Sequence, residues 1–377
     1  MATSTNYGWS EPDDSSLVRD GALAMRTLGN AIDTSLWNSG YGQAGKNKIV
    51  NGDFTINQRS FTSISAGTVT SYGFDRWLNS GSGGTITYTA QTFTLGAAPV
   101  AGYEARNYID VQTTGQTLTN TSTRLDQRIE SVRTFAGQTA TFSFWAKAAS
   151  GTPKIAVELD QQFGTGGSPS ARVTTYAGQV TLSTLWARYS VTVAVPSISG
   201  KTIGTSGGDY LALDLWVSAG SDFNARTGSL GIQTNTFSIW GVQAEYGSKM
   251  TPFQTASGGS IQNELAMCQR YYWRWNAIDN YSPFGQGIST STTNAQIFVQ
   301  YPVTMRAKPA AGVDFSTLVI SDIGSYNLAI SAIVLSNATT QMAELGCTNA
   351  ATATASRGAF IRSNNSANGY LGLSAEL

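Results

Sequence analysis

The sequence predicts a mainly β protein: an N-terminal helix, then a β-sandwich of jelly-roll type, then a second, small β domain. Three observations carry this. Segments that alternate apolar and polar residues recur at short, even intervals, separated by Gly, Ser, Thr and Asn turns. Charged residues are only 12% of the chain while glycines number 40, so Ser, Thr, Asn and Gln must cover the surface. That profile suits many short strands joined by tight turns better than it suits helices. Near the N-terminus, 13–36 carries apolar residues at spacings of three and four, the mark of an amphipathic helix.

At 377 residues the chain can hold two modest domains and an appendage. The appendage is 1–46. Its first dozen residues are polar and extended, and Tyr7 and Trp9 within them can be buried only against something else. Asp13, Asp14 and Ser15 suit a helix start, since carboxylates favour the positive end of the helix dipole. Val18, Ala22, Met25, Leu28, Ile32 and Leu36 then form one stripe, and Val18, Met25 and Ile32 recur in heptad register, a run too short to establish a coiled coil alone. A helix packed on its own domain is the plainer reading; a docking or oligomerisation helix fits better, because the Gly-rich tether 38–45 separates it from the large β domain.

The large β domain is assigned to 47–256. Strands are expected at 75–78, 85–89, 108–111, 140–147, 154–159, 187–193, 211–217 and 237–245, and their even spacing argues for two packed antiparallel sheets. Gly247, Pro252 and the pair Gly258 and Gly259 mark a loop. Ser260 or Asn263 can cap a short helix through Leu265, Ala266 and Met267, and the aromatic run 271–275 returns to strand composition. The final domain, 257–377, shows further strands at 295–303, 318–320, 329–335, 341–345 and 370–375.

Composition also excludes function classes. Net charge is zero, so no overall field favours nucleic acid or acidic lipid. No apolar run approaches the ~20 residues needed to cross a bilayer, and residues 1–6 lack the basic and apolar parts of a secretory signal, so use without such export is expected. The absence of histidine removes Ser-His-Asp and Cys-His nucleophile systems and imidazole acid–base catalysis. Cys268 and Cys347 cannot make a disulfide framework and are expected as small buried apolar side chains.

Several runs resemble a known family. Residues 48–54 (KIVNGDF), with Gln58, Arg59 and 72–77 (YGFDRW), are similar to the opening of carbohydrate-binding-module-like jelly rolls in tailed-phage virion proteins. Residues 142–147 (FSFWAK) and 240–247 (WGVQAEYG) look like their middle and closing strands. The blocks 251–253 (TPF), 264–272 (ELAMCQRYY), 301–306 (YPVTMR) and 374–377 (SAEL) continue the likeness, which spans roughly 47–377. Residues 1–36 separately resemble segments that anchor phage fibres to the particle. The family often holds calcium between an acidic residue of the opening motif and acidic residues of the closing strand. Here Asp53 is present, but Trp240, Gly241 and Val242 stand where a carboxylate pair would be expected, so no metal and no other cofactor is implied.

Among the candidate site residues, Glu158 and Asp160 are two apart on one strand, about 7 Å from each other, the best pair for glycoside hydrolysis. Alternation with Val157 and Leu159 places both on the solvent face, where carboxylates ionise alike, so no catalytic residue is assigned. Asp110, Glu130, Asp209 and Asp214 show no comparable clustering. Tyr88, Trp145, Trp186, Tyr189 and Trp216 are the candidates for stacking on sugar rings, although most large aromatics in a sandwich are core. Tyr271, Tyr272, Trp273 and Trp275 suit a domain junction or a trimer interface, with Arg270 and Arg274 suited to contacts across chains. Tyr7, Trp9, Val18, Met25, Leu28 and Ile32 are the docking and oligomerisation candidates. The resemblance implies a trimeric fibre or fibre-like virion component; with no catalytic residue assigned, the reading taken is a non-enzymatic homotrimeric tail fibre, assembled in the host cytoplasm and located in the virion. Residues 1–36 would bind other virion proteins, and the β domains would face host-surface glycan. A capsid decoration or head fibre is the alternative, and a polysaccharide depolymerase a further one.

Overall fold

The computed structural model describes residues 2–5, 8–12, 17–39, 45–100, 103–309, 312–322, 327–349 and 353–377. Two short strands, β1 (Ala2–Thr3) and β2 (Ser10–Glu11), pair next to helix α1 (Gly21–Ser39), which follows a single 3-10 turn at Val18–Asp20. The helix therefore starts later than the sequence implies; the expected start at 13–15, and Tyr7, lie outside the described residues. Trp9 is tied to the helix by its indole N–H, which donates to Ser35 Oγ at 2.8 Å. Val18 is 96% exposed and Met25 72%, while Leu28 and Ile32 are half-buried.

The sandwich contains β3 (Ser63–Tyr72), β4 (Trp77–Thr92), β5 (Asn107–Thr114), β6 (Ser122–Ile129) and β7 (Thr139–Ala148). It continues through β8 (Lys154–Gln162), β9 (Val173–Thr181), β10 (Ala187–Ala194), β11 (Tyr210–Ala219), the short helix α2 (Asn224–Thr227) and β12 (Asn235–Tyr246). Nine of these strands form one hydrogen-bonded path, β10-β7-β12-β5-β4-β6-β11-β8-β9, with β3 along β4. The path becomes two sheets because β4 changes partner midway. Its residues 77–82 pair with β6 and its residues 85–92 with β5. The corner is Gly83 and Gly84, both at positive φ, and a Cβ on Gly84 would stand 2.3 Å from the Thr114 carbonyl oxygen. Only glycine fits a strand that turns so closely against its neighbour. At the far ends β9 and β10 lie against each other. The enclosed core includes Ile109, Val111, Phe142, Phe144, Val157, Leu159, Leu213, Leu215 and Ile239, all fully buried.

The opening motif is a clasp. Asn51, at φ 59°, donates its side-chain amide to the Ile56 and Asp75 carbonyls and accepts from Ile56 N–H. A Cβ on Gly52 would stand 2.2 Å from the Val242 carbonyl oxygen, so glycine lets this turn close on the bulge in β12. Helix α3 (Ile261–Gln269) begins at the expected cap: Ser260 Oγ accepts from Asn263 N–H at 3.3 Å. Its buried Glu264 accepts from the N–H groups of Asn51 and Ser257 and binds the helix to the clasp.

After α3 come β13 (Tyr272–Asn276), β14 (Pro283–Ser289), β15 (Asn294–Gln300), β16 (Asp314–Ser316) and β17 (Leu318–Asp322). The last strands are β18 (Leu328–Ala338), β19 (Met342–Asn349), β20 (Gly358–Ser363) and β21 (Tyr370–Ser374). Six of them close a barrel in the order β14-β15-β19-β18-β17-β20, and β13-β21-β16 forms a small sheet sharing its core through Trp273, Leu371 and Leu373. Residues 374–377 run between barrel and sandwich. Arg76, 2% exposed, pairs with Glu376, donates to the Arg128 carbonyl and lies over the Tyr271 ring. Arg59 lies over the Tyr272 ring, and Arg306 donates to the carbonyls of Ala375 and Glu376. Arg270 and Arg274, expected to reach across chains, act within this one: Arg270 bonds Glu130 and Arg274 donates to the Arg59 carbonyl. Tyr271, Tyr272 and Trp273 are buried inside the chain at the junction, the first of the two places the sequence suggested. Both cysteines are buried and free.

Candidate functional site

The five sugar-stacking candidates do not assemble into a platform. Tyr88 is fully buried, its hydroxyl within bonding distance of the Ser80 and Arg124 carbonyls. Trp216 is fully buried beneath the excursion that carries α2, with the Phe223 ring 5.2 Å away and the Arg124 and Arg226 guanidiniums over its faces. Trp145 is only 9% exposed, packed on Trp240 and Phe253 under Arg188. Trp186 and Tyr189 are half-buried; Trp186 contacts Phe93 and Tyr108, and the Tyr189 hydroxyl accepts from Ser183 N–H. Tyr88 and Tyr189 point into the core between the sheets, in register with Val111 and Phe144. The outer face of one sheet is covered by Phe93, Tyr103 and Phe253, and that of the other by α2 with Arg124 and Arg226.

The carboxylates of the second face were also misplaced by alternation. Glu158 is fully buried and Asp160 only 6% exposed. Cross-strand register sets Asp126 opposite Asp214 and Asp214 opposite Glu158, giving three acids in a row over β6, β11 and β8. Two arginines neutralise the row. Arg226 donates Nε to Glu158 Oε1 at 2.7 Å and Nη2 to Oε2 at 2.9 Å, and approaches Asp214 at 3.7 Å. Arg124 Nε lies 3.0 Å from Asp126 and 4.0 Å from Asp214. Trp216 Nε1 donates to Glu158 Oε2 at 2.9 Å. Three carboxylates against the two guanidiniums that touch them leave an excess of negative charge, which burial penalises, so the row favours holding a proton. Burial, with Asp214 alongside, pushes Glu158 up to about 7. Burial likewise raises Asp126, with Asp214 adding to it, and raises Asp214 itself. A glycosidase needs its two carboxyl groups open to a sugar between them; these are sealed.

Asp53, the possible calcium ligand, accepts from Thr55 Oγ1 and the Tyr103 hydroxyl, both at 2.7–2.8 Å. Glu245 on the closing strand is taken up by Thr251 and Gln243. Among the described residues no group of three or more Cys, Asp or Glu has the arrangement to hold a metal. The acidic residues of the opening and closing segments do not fit the family's calcium site.

An open concavity lies on the barrel. A groove of 1010 Å³ runs from the end of β13 across β14, β15 and β20. Trp275, Tyr281, Phe284, Phe298 and Phe360 give it five rings, of which Phe284 is buried, and Asn276, Gln286 and Gln300 give it amide donors and acceptors. Phe298 is 46% exposed, Phe360 48% and Tyr281 38%. None of these was a sequence candidate for sugar stacking, Trp275 having been read as a residue of the junction or of a trimer interface, yet two carried a signal. In Gln296, Ile297, Phe298, Val299 and Gln300 the phenylalanine shares the polar face with two glutamines. In Ala359, Phe360 and Ile361 the ring again opposes the buried side. A phenylalanine on the wet face of a strand has a partner to explain, whereas one in a continuous apolar run does not.

Fold and groove together define a mainly β protein, sandwich plus closed barrel, with an aromatic and amide surface on the barrel. No protein-family model matches the chain, nor does any curated protein. Among solved structures, the chain is similar to the CBM22-2 xylan-binding domain of Paenibacillus barcinonensis Xyn10C, at 16% identity, over 49% of this chain and 99% of that one, TM-score 0.31. A putative sugar binding protein from Bacteroides thetaiotaomicron matches at 12% identity over 53% and 100%, TM-score 0.32. The enzymatically active domain of bacteriophage CBA120 tailspike protein 4 matches at 14% identity over 53% of this chain and 21% of that one, TM-score 0.28.

Proposed function

We propose that this chain is a non-catalytic glycan-binding protein of a phage particle, a homotrimeric fibre that docks by its N-terminal unit and presents its β domains to host-surface polysaccharide. The groove on the barrel carries the glycan reading. Sugar rings pack their C–H faces on aromatic planes while their hydroxyls need planar amides, and the groove supplies both on rigid strands. Helix α1 supports the docking reading: Val18, Leu23 and Met25 are more than half exposed on or beside it, an apolar surface suited to a partner. The sealed acidic row supports binding without cleavage. The test is a panel of host-surface polysaccharides presented to the full chain, reading retention and new reducing ends. Retention that weakens in Trp275→Ala, with no reducing ends released, is expected; release of reducing ends that disappears in Glu158→Gln overturns the non-enzymatic reading.

A further inference from the structure

Gln286 on β14 stands in register with Phe298 on β15 and, on its other side, with Phe360 on β20. Neighbouring strands lie about 4.8 Å apart, so the two exposed rings are about 10 Å apart with the amide between them. This trio does not sit at the edge of the groove. It also lines a second concavity of 340 Å³ whose other lining residues are Gly287, Gly358 and Ala359. The trio is therefore a saddle joining two cavities, one walled by Trp275 and Tyr281 and one floored by residues with little or no side chain. Gly287 is held to glycine by packing, since a Cβ there would stand 1.8 Å from the Gln296 carbonyl oxygen.

The charges near the saddle are few. Of the residues lining the two cavities only Arg274 and Asp279 are ionic. Arg274 is engaged already, by the Arg59 carbonyl, Asn276 Oδ1 and the Tyr370 ring. Asp279 would repel an acidic polymer. A cavity open at both ends of a saddle suits the interior of a chain, where a pocket with one mouth would suit its end.

Resting on the glycan reading above, we infer that the groove holds the interior of a linear, uncharged polysaccharide laid across the Phe298–Gln286–Phe360 saddle. Alternate sugars stack on the two rings, and the sugar between them bonds Gln286. The ring separation is close to that of alternate residues in an extended equatorially linked chain.

Calorimetry on the full chain tests this with neutral β-1,4-linked gluco- and manno-oligosaccharides from monosaccharide to hexasaccharide, and with an alginate of matched length. Affinity is expected to rise with length and then level off, with the alginate bound at least tenfold more weakly. Phe298→Ala and Phe360→Ala should each lower hexasaccharide affinity up to about tenfold, with unchanged thermal melting because both rings are exposed. Equal affinity for monosaccharide and hexasaccharide, or loss in one phenylalanine variant but not the other, overturns the through-saddle path and leaves glycan binding standing. Stronger binding of alginate overturns the neutral-ligand assignment alone. No binding of any sugar, with self-association that both variants abolish, overturns the glycan reading itself and assigns the face to a second copy of the chain.

Discussion

Acidification should stabilise the sandwich over a range where most proteins are indifferent or begin to weaken. Glu158 moves from an ordinary 4.5 to about 7 on folding, and Asp75, buried beside Arg59, from 3.8 to about 6. For an acid whose folded pKa is raised, the native state holds more protons than the unfolded state between the two values. Stability therefore falls as pH rises through that window and is fully regained only below the unfolded pKa. For Glu158 the whole shift corresponds to about 3 kcal/mol, of which about 2 kcal/mol returns between pH 7 and pH 5. Asp75 acts in the same direction over a slightly lower window. The perturbation that isolates the row is Glu158→Gln. It keeps the shape, leaves two carboxylates for two guanidiniums, and matches the protonated wild type. Urea unfolding followed by tryptophan fluorescence, from pH 5 to pH 7.5, should show the wild type losing about 2 kcal/mol or more while the variant loses roughly half as much. The two should nearly coincide at pH 5, with the variant the more stable at pH 7.5. A wild type whose stability is flat or rises through this range, or a variant that costs about 3–5 kcal/mol throughout as a broken buried ion pair would, refutes the shared-proton account.

Three further outcomes are expected. Gly287→Ala should destabilise the barrel by about 3 kcal/mol, seen as an earlier thermal transition, because its Cβ meets the Gln296 carbonyl at 1.8 Å and two strands must part. Glu376→Gln leaves the Arg76 guanidinium buried without its counter-charge; a loss of about 3–5 kcal/mol is expected, together with faster proteolysis at the joint between the β domains. Deleting residues 1–44 should leave the melting of both β domains unchanged, since Gly45 is, among the described residues of the tether region, the first hydrogen-bonded to the sandwich, through Ala256. Light scattering should then report a monomer where the full chain gives a trimer, and a truncated chain that stays trimeric places the contact elsewhere.

How far the sequence could be read depended on which neighbours filled each face. β8, β11 and β12 are long, one of their faces is the sandwich core, and alternation located all three. Helix α3 was visible because its cap is local chemistry, Ser260 bonding three residues ahead. β14 escaped notice because Gly285 and Gly287 occupy inward positions that Val299 and the backbone of β15 already fill, which erases the apolar half of the pattern. β9 escaped for the opposite reason: none of its residues is fully buried, so neither face stands out.

The two clusters of functional interest divide along the same physical line. The acidic row is made of residues 126, 158 and 214, which meet only because β11 lies between β6 and β8. Nothing within any one strand announces it, and period-2 alternation actively misleads, because it reports the face of the sheet and not what covers that face. Here α2 and two arginines cover it, turning a polar face into a second interior. The saddle on the barrel is the reverse case. Its register is also non-local, but each phenylalanine betrays itself within its own strand by standing on the polar side. A charged residue on a polar face needs no explanation and so conceals a site, whereas an aromatic one demands an occupant. On that reasoning the exposed rings of β15 and β20, and not the better-clustered carboxylates of the sandwich, are where the proposed ligand is to be sought.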